Sequence, residues 1–385
     1  MNGGIEQGID VLLRKNTYRG VRLGMATNEA ALTQSGCASR KALLDAGFAI
    51  TKLFSPEHGL NVTYADGAMV EDQTDRLTGL PVISLYGEWL KPDPDTLQNL
   101  DAVLFDIPDV GARFYTYLWT MTYLMEACAE AGIPFIVLDR PNPAGGAIWK
   151  SEGPMLNEIH CSSFIGRWSI PIRHGCTLGE LARYFKATRL QNLPLEIIPC
   201  EGWERSRSFF ETGHPFTPTS PAIRDAETAL LYAGTGLLEG INVSEGRGTE
   251  FAFKQAGGPW INAVKWKQAM DSAGIKGVIM ETVAFTPKWG LFAGEICNGL
   301  RLTVNEPGSF RPVAFGICLI QQLMHLYPDK VKPRLYPTVA NPSGENHPDR
   351  LLGMKDAFIK LKTGKKINTD LNEEWSREID AFLLY

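Results

Sequence analysis

The sequence predicts an α/β protein: a parallel sheet built from βαβ units, followed by a smaller α+β part. Two observations carry this. In the first 140 residues, short apolar runs alternate with helical patterns, the spacing of strand–helix–strand units with right-handed crossovers. From about residue 260, strands bracket helices without that alternation. The change of pattern divides the chain into 1–258 and 259–385, and 385 residues suffice for two cores.

Residues 21–27 read as the first strand and 39–46 as a helix with a Ser39 cap. Strands are expected at 48–54, 81–86 and 101–106, then a long helix over 116–131 and a strand at 135–138. The middle is richer in Gly, Pro and aromatics. It holds a helix capped by Thr177, a strand at 195–198 and a helical stretch at 228–238 interrupted by glycines. In the tail, 277–285 and 299–304 read as antiparallel strands, and 312–327 and 349–362 as helices.

Composition excludes several classes. With 44% hydrophobic and 21% charged residues, well mixed, the chain is neither disordered, collagen-like nor coiled-coil. A net charge of −5 offers no footprint for nucleic acid or an anionic membrane. No run of eighteen apolar residues suggests a membrane span, and the start lacks a basic and apolar leader. The seven cysteines are scattered without a C-x-x-C pair, so free thiols in a reducing compartment are expected. The expected location is cytoplasmic, or secreted or periplasmic if a leader has been removed.

Ligands of open parallel sheets bind beyond the carboxyl ends of the strands. Here four such ends carry polar, Gly/Pro-fixed turns. Asn28 follows the first strand; Glu57 and His58 follow the second; Asp106, Asp109, Arg113, Tyr115 and Tyr117 follow the fourth; Arg140 and Asn142 follow the last. Glu57 lies between Pro56 and a Gly59 exit, and an extended segment would send Glu57 and His58 opposite ways. A shielded carboxyl there suits a general acid; it equally suits a helix cap or an arginine partner. Asp106 reads as a second carboxylate or a turn cap, Asp109 as a partner for Arg113. Arg113, Arg140 and Arg247 are candidate anion readers or ion-pair partners. Tyr115 and Tyr117 would face a sugar or pack as core. Near the division of the chain, 239–249 is polar and glycine-punctuated, and would hold Glu245 and Arg247 against the first cluster. His174 is a weaker candidate. No dinucleotide, Walker A, G-x-S-x-G or metal-ligand spacing occurs, so no cofactor or metal is expected.

Taken together, Phe54-Ser-Pro-Glu-His-Gly59, Phe105-Asp-Ile-Pro-Asp-Val-Gly-Ala-Arg-Phe-Tyr-Thr-Tyr117, Val137-Leu-Asp-Arg-Pro-Asn-Pro-Ala-Gly-Gly146 and Ser244-Glu-Gly-Arg-Gly-Thr249 resemble the DUF1343 family, associated with exo-β-N-acetylmuramidases of the NamZ type. The resemblance spans nearly the whole chain. It departs at Pro108, where the family often has Gln, and at Thr219-Ser-Pro-Ala222, where Pro-Ser-Pro-Asn is common. It implies a Rossmann-like catalytic domain, a smaller domain closing the active-site cleft, and release of N-acetylmuramic acid from the non-reducing end of peptidoglycan fragments. Glu57 would then protonate the leaving oxygen. Glu245, or Asp106, would take the second carboxylate role, unless the substrate's own acetamido group attacks. Arg113, Arg140 or Arg247 would read the lactyl carboxylate. The competing expectations are a non-catalytic binder of muropeptides or anionic sugars, and an esterase or amidase using His58 or His174.

Overall fold

The computed structural model describes residues 4–370 and 372–385. Ten strands form two sheets: β1 Arg22–Thr27, β2 Ala49–Ser55, β3 Gln73–Thr74, β4 Pro81–Ser84, β5 Ala102–Asp106, β6 Phe135–Leu138, β7 Leu195–Ile198, β8 Gln255–Gly258, β9 Val278–Phe285 and β10 Cys297–Val304. The seven-stranded sheet runs β3-β4-β2-β1-β5-β6-β7, parallel except for the short edge strand β3. Its six parallel strands follow the Rossmann order, which reverses direction between β1 and β5. All five residues of the central strand β5 are buried, as expected of a parallel strand covered on both faces.

The smaller sheet is antiparallel, β8-β10-β9, and β9 and β10 pair in the register Val278 with Val304. β8 lies on the N-terminal side of the 258/259 division but pairs with β10, beyond it. The glycine of the helix Ala226–Thr235 has a packing reason. Gly234 meets Gly316 of the helix Pro312–Leu326 backbone to backbone, and a Cβ on either would lie within 2.2 Å of the other helix.

Local chemistry explains most boundaries. Thr177 caps the helix Leu178–Thr188 in a reciprocal box with Glu180. The helix Tyr117–Ala131 stops at Gly132, which takes φ 69°. Two expectations need correction. Ser39 does not cap its helix: Ala38 holds that position, and the Ser39 hydroxyl donates to the Ala31 carbonyl. The helix expected over 349–362 is two helices, His347–Leu352 and Ala357–Lys362, because Gly353 and Asp356 both take left-handed backbone between them. No helix among the described residues is long and apolar enough to cross a membrane.

Candidate active site

A cavity of about 760 Å³, partly open to solvent, lies between the carboxyl ends of β2, β4 and β5 and the segments that follow residue 225. Glu57 and His58 line it together, contrary to the alternation of an extended strand. The chain turns there: Gly59 N–H donates to the Pro56 carbonyl, and His58 takes φ 69°. One Glu57 oxygen accepts the Gly67 N–H at 2.7 Å, and Tyr86 lines the cavity with it. His58 donates from Nδ1 to the Tyr64 carbonyl at 2.9 Å and turns Nε2 toward Asp66, 3.7 Å away.

The opposite wall is charged. Arg247 Nε donates to Asp66 at 2.7 Å, while its Nη1 reaches Glu239 and, at 3.2 Å, Glu245. The guanidinium also lies 4.6 Å from the centre of the Phe253 ring. Glu245 takes a second cation, Arg334, at 3.4 Å. Burial works against the charge on Arg247, but Asp66 and Glu239 more than offset it and raise its pKa. Burial likewise pushes the Asp66 carboxyl up, and Arg247 and His58 together pull it below the usual range. Glu239 ends differently: burial pushes its carboxyl up to about 7, because Arg247 is shared and Glu245 and Asp66 repel its charge. This cluster is carried by Ser244-Glu-Gly-Arg-Gly-Thr249. Ser244 exchanges backbone hydrogen bonds with Gly257 of β8, and Gly248, at φ 81°, comes so close to Trp289 that a Cβ would meet its carbonyl at 2.4 Å.

The strand-end residues separate. Glu57, His58, Tyr115 and Arg247 line the cavity. Tyr117 packs behind, its ring 4.7 Å from that of Tyr115, and both hydroxyls are engaged by Thr219. Glu245 is buried beneath Arg247 and does not line the cavity, whereas Glu239, on the same arginine, does.

Asp106 and Arg140 form a buried ion pair at 2.6 Å outside the cavity, with Arg140 also donating to Gln7, Leu32 and Ser39. Neither is placed for catalysis or anion reading in this cavity. Arg113 is completely buried and donates to the carbonyls of Pro154, Ile170 and Leu351, so its fork has no room for a ligand. Asp109 accepts Gly111 N–H and faces His174 at 3.5 Å instead of pairing with Arg113. His174 is fully buried and accepts the Cys176 N–H. Asn142 closes a turn between the Cys176 carbonyl and the Ala144 N–H, and Asn28 accepts the Ala30 N–H. These residues shape the loops beneath the site.

Sequence reasoning missed Asp66, Glu239, Tyr86 and a roof made by 336–350. Asp66-Gly67 is a turn signal and 333–347 is rich in Pro, Asn and Gly, and both could have been flagged as loops. The roof is tied down where Val339 N–H donates to the Gly67 carbonyl. Beside the cavity, and sharing Asp66 and Arg247 with it, an open groove is lined by Arg224, Phe251, Lys288, Trp289 and Arg301.

The chain is similar to known proteins along most of its length. Two family models match, described as exo-β-N-acetylmuramidase NamZ, N-terminal, over residues 23–227 and the corresponding C-terminal model over 230–384. The peptidoglycan β-N-acetylmuramidase NamZ of Bacillus subtilis (strain 168) is 40% identical over 328 residues, covering 84% of this chain and 78% of that protein. A crystal structure of a DUF1343 family protein from Bacteroides fragilis superposes with a TM-score of 0.87 at 28% identity, covering 99% of each chain. A second from the same organism, at 24% identity and a TM-score of 0.77, shares the fold.

Proposed function

Because the chain belongs to the NamZ family of exo-β-N-acetylmuramidases, we propose that it is a glycosidase releasing N-acetylmuramic acid from the non-reducing end of peptidoglycan-derived saccharides. The observation that carries the mechanism is a pair of carboxyl groups in one cavity with opposite surroundings. Glu239 is buried so that it keeps its proton to about pH 7. Glu57 is an acceptor for the Gly67 N–H. Two carboxyls whose environments differ in this way divide acid and base work between them. Glu239 donates its proton to the leaving oxygen as the glycosidic bond breaks. Glu57 stabilises the positive charge developing on the sugar ring; a water oxygen then bonds to the anomeric carbon and its released proton returns to the Glu239 carboxylate. Arg247 holds the deprotonated Glu239 until that proton arrives. The aglycone leaves along the groove that opens at Asp66 and Arg247, where half-exposed Trp289 offers a ring face to a sugar. We further propose a cytoplasmic setting acting on imported fragments; the seven cysteines are all free.

The test is mass spectrometry of MurNAc-β-1,4-GlcNAc incubated with the wild type, Glu57→Gln and Glu239→Gln. Free MurNAc from the wild type alone supports both roles. Release by a variant at the wild-type rate removes that carboxyl from the mechanism, and no release by the wild type removes the glycosidase reading for this disaccharide.

A further inference from the structure

N-acetylmuramic acid differs from N-acetylglucosamine by a lactyl ether ending in a carboxylate, so a site selective for it needs a cation with a free face. The three arginines that the sequence suggested as anion readers are spent. Arg113 serves three carbonyls, Arg140 is paired with Asp106, and Arg247 is shared among Asp66, Glu239 and Glu245. Arg334, just before the roof, is committed to Glu245. One arginine lining the cavity remains: Arg350, which among the described residues has no carboxylate partner and no side-chain hydrogen bond.

A second observation on the same short helix points to a ligand. His347, three residues before Arg350, also lines the cavity, and its Nε2 is buried without a hydrogen-bond partner. Its ring is stacked on Tyr336 at 4.6 Å and 8°, so its plane is fixed. Burial, then Arg334 and Arg350, lowers its pKa to about 3, so the ring is neutral in working conditions and carries one N–H.

We infer that Arg350 and His347 form the subsite that reads the lactyl carboxylate, the guanidinium supplying the charge and the imidazole Nε2–H a second hydrogen bond. This rests on the glycosidase reading for the identity of the sugar, and it makes these two residues the determinants of muramic over glucosamine recognition. Neither lines the groove that meets the cavity at Asp66 and Arg247, which leaves that side to the departing aglycone.

The experiment is calorimetric titration with free N-acetylmuramic acid and with its methyl ester, whose carboxyl is neutral. The wild type should bind the acid about 10- to 100-fold more tightly than the ester, the worth of a charged hydrogen bond. Arg350→Met should bring that ratio close to one. Arg350→Lys, which keeps the charge and loses the fork, should fall between. His347→Phe, which keeps the stack on Tyr336, should lower the ratio by about threefold, the worth of a neutral hydrogen bond. A wild type that does not distinguish acid from ester, or an Arg350→Met protein that keeps the wild-type ratio, overturns the inference. The disaccharide digestion judges the glycosidase reading separately: an Arg350-dependent preference without cleavage would sink that reading and leave the carboxylate subsite standing.

Discussion

Replacing Glu239 by Gln removes the titration that burial imposes on this carboxyl while keeping its shape. Its pKa moves from 4.5 in the unfolded chain to about 7 on folding, a gap worth about 3 kcal/mol at about 1.4 kcal/mol per pH unit. The sign follows from linkage. Below pH 4.5 the group is protonated folded and unfolded, and the penalty is absent. Between 4.5 and 7 the unfolded chain releases the proton and the folded chain keeps it, so stability falls as pH rises; above 7 the loss is complete and constant. Urea denaturation of both proteins at intervals from pH 4 to 8 isolates the effect, since other groups titrate in both. The stability of Glu239→Gln relative to wild type should climb by about 3 kcal/mol across that range. In parallel, wild-type kcat/KM should decline as pH rises through about 7, and the variant should be about 10²- to 10⁴-fold slower. A stability difference that is flat with pH would refute the assignment of the buried proton to Glu239.

The other expectations concern charge and backbone. Arg247→Met leaves the Asp66 carboxylate without its cation and should destabilise the protein by about 3–5 kcal/mol in urea titrations. Gly67→Ala forces a Cβ to 2.6 Å from Thr338 at φ 70°; a loss of about 1–3 kcal/mol should appear in thermal melts, with a larger fall in kcat than in substrate affinity as Glu57 loses its support. Arg113→Met orphans the carbonyls of Pro154, Ile170 and Leu351 and should cost at least about 3 kcal/mol by chemical denaturation. Its ratio of acid to ester binding should stay at the wild-type value, which separates a structural arginine from one that reads the ligand.

Much of the scaffold was legible because strands and helices announce themselves locally. The run 101–106 reads as a strand and is buried over 102–106, and Thr177 reads as a helix cap, which the structure closes into a box with Glu180. Turns that leave the extended conformation were harder. The alternation argued for Glu57 and His58 fails because His58 adopts left-handed backbone. The choice between anion reader and ion-pair partner stayed open for the arginines for a related reason. A strand end shows that a side chain leaves the sheet, but not whether it folds under the loop or rises into the cleft. Asp106 meets Arg140 across 34 positions of chain, and Arg247 meets Asp66 across 181. Pairings of that span depend on the finished packing. Glu239 stood within a segment recognised as polar, but its significance comes from burial, which spacing does not report.

The peptide unit around Gly67 has a wider consequence. Its N–H holds Glu57 and its carbonyl holds Val339 in the roof. The same residue therefore fastens a reacting group and the cover above it, as one pin can hold both a latch and a lever. If the roof swings away to free a product and draws Gly67 with it, the Glu57 carboxylate loses its backbone donor at that moment. An open site is then a disarmed one, and the interlock confines competent chemistry to molecules already enclosed.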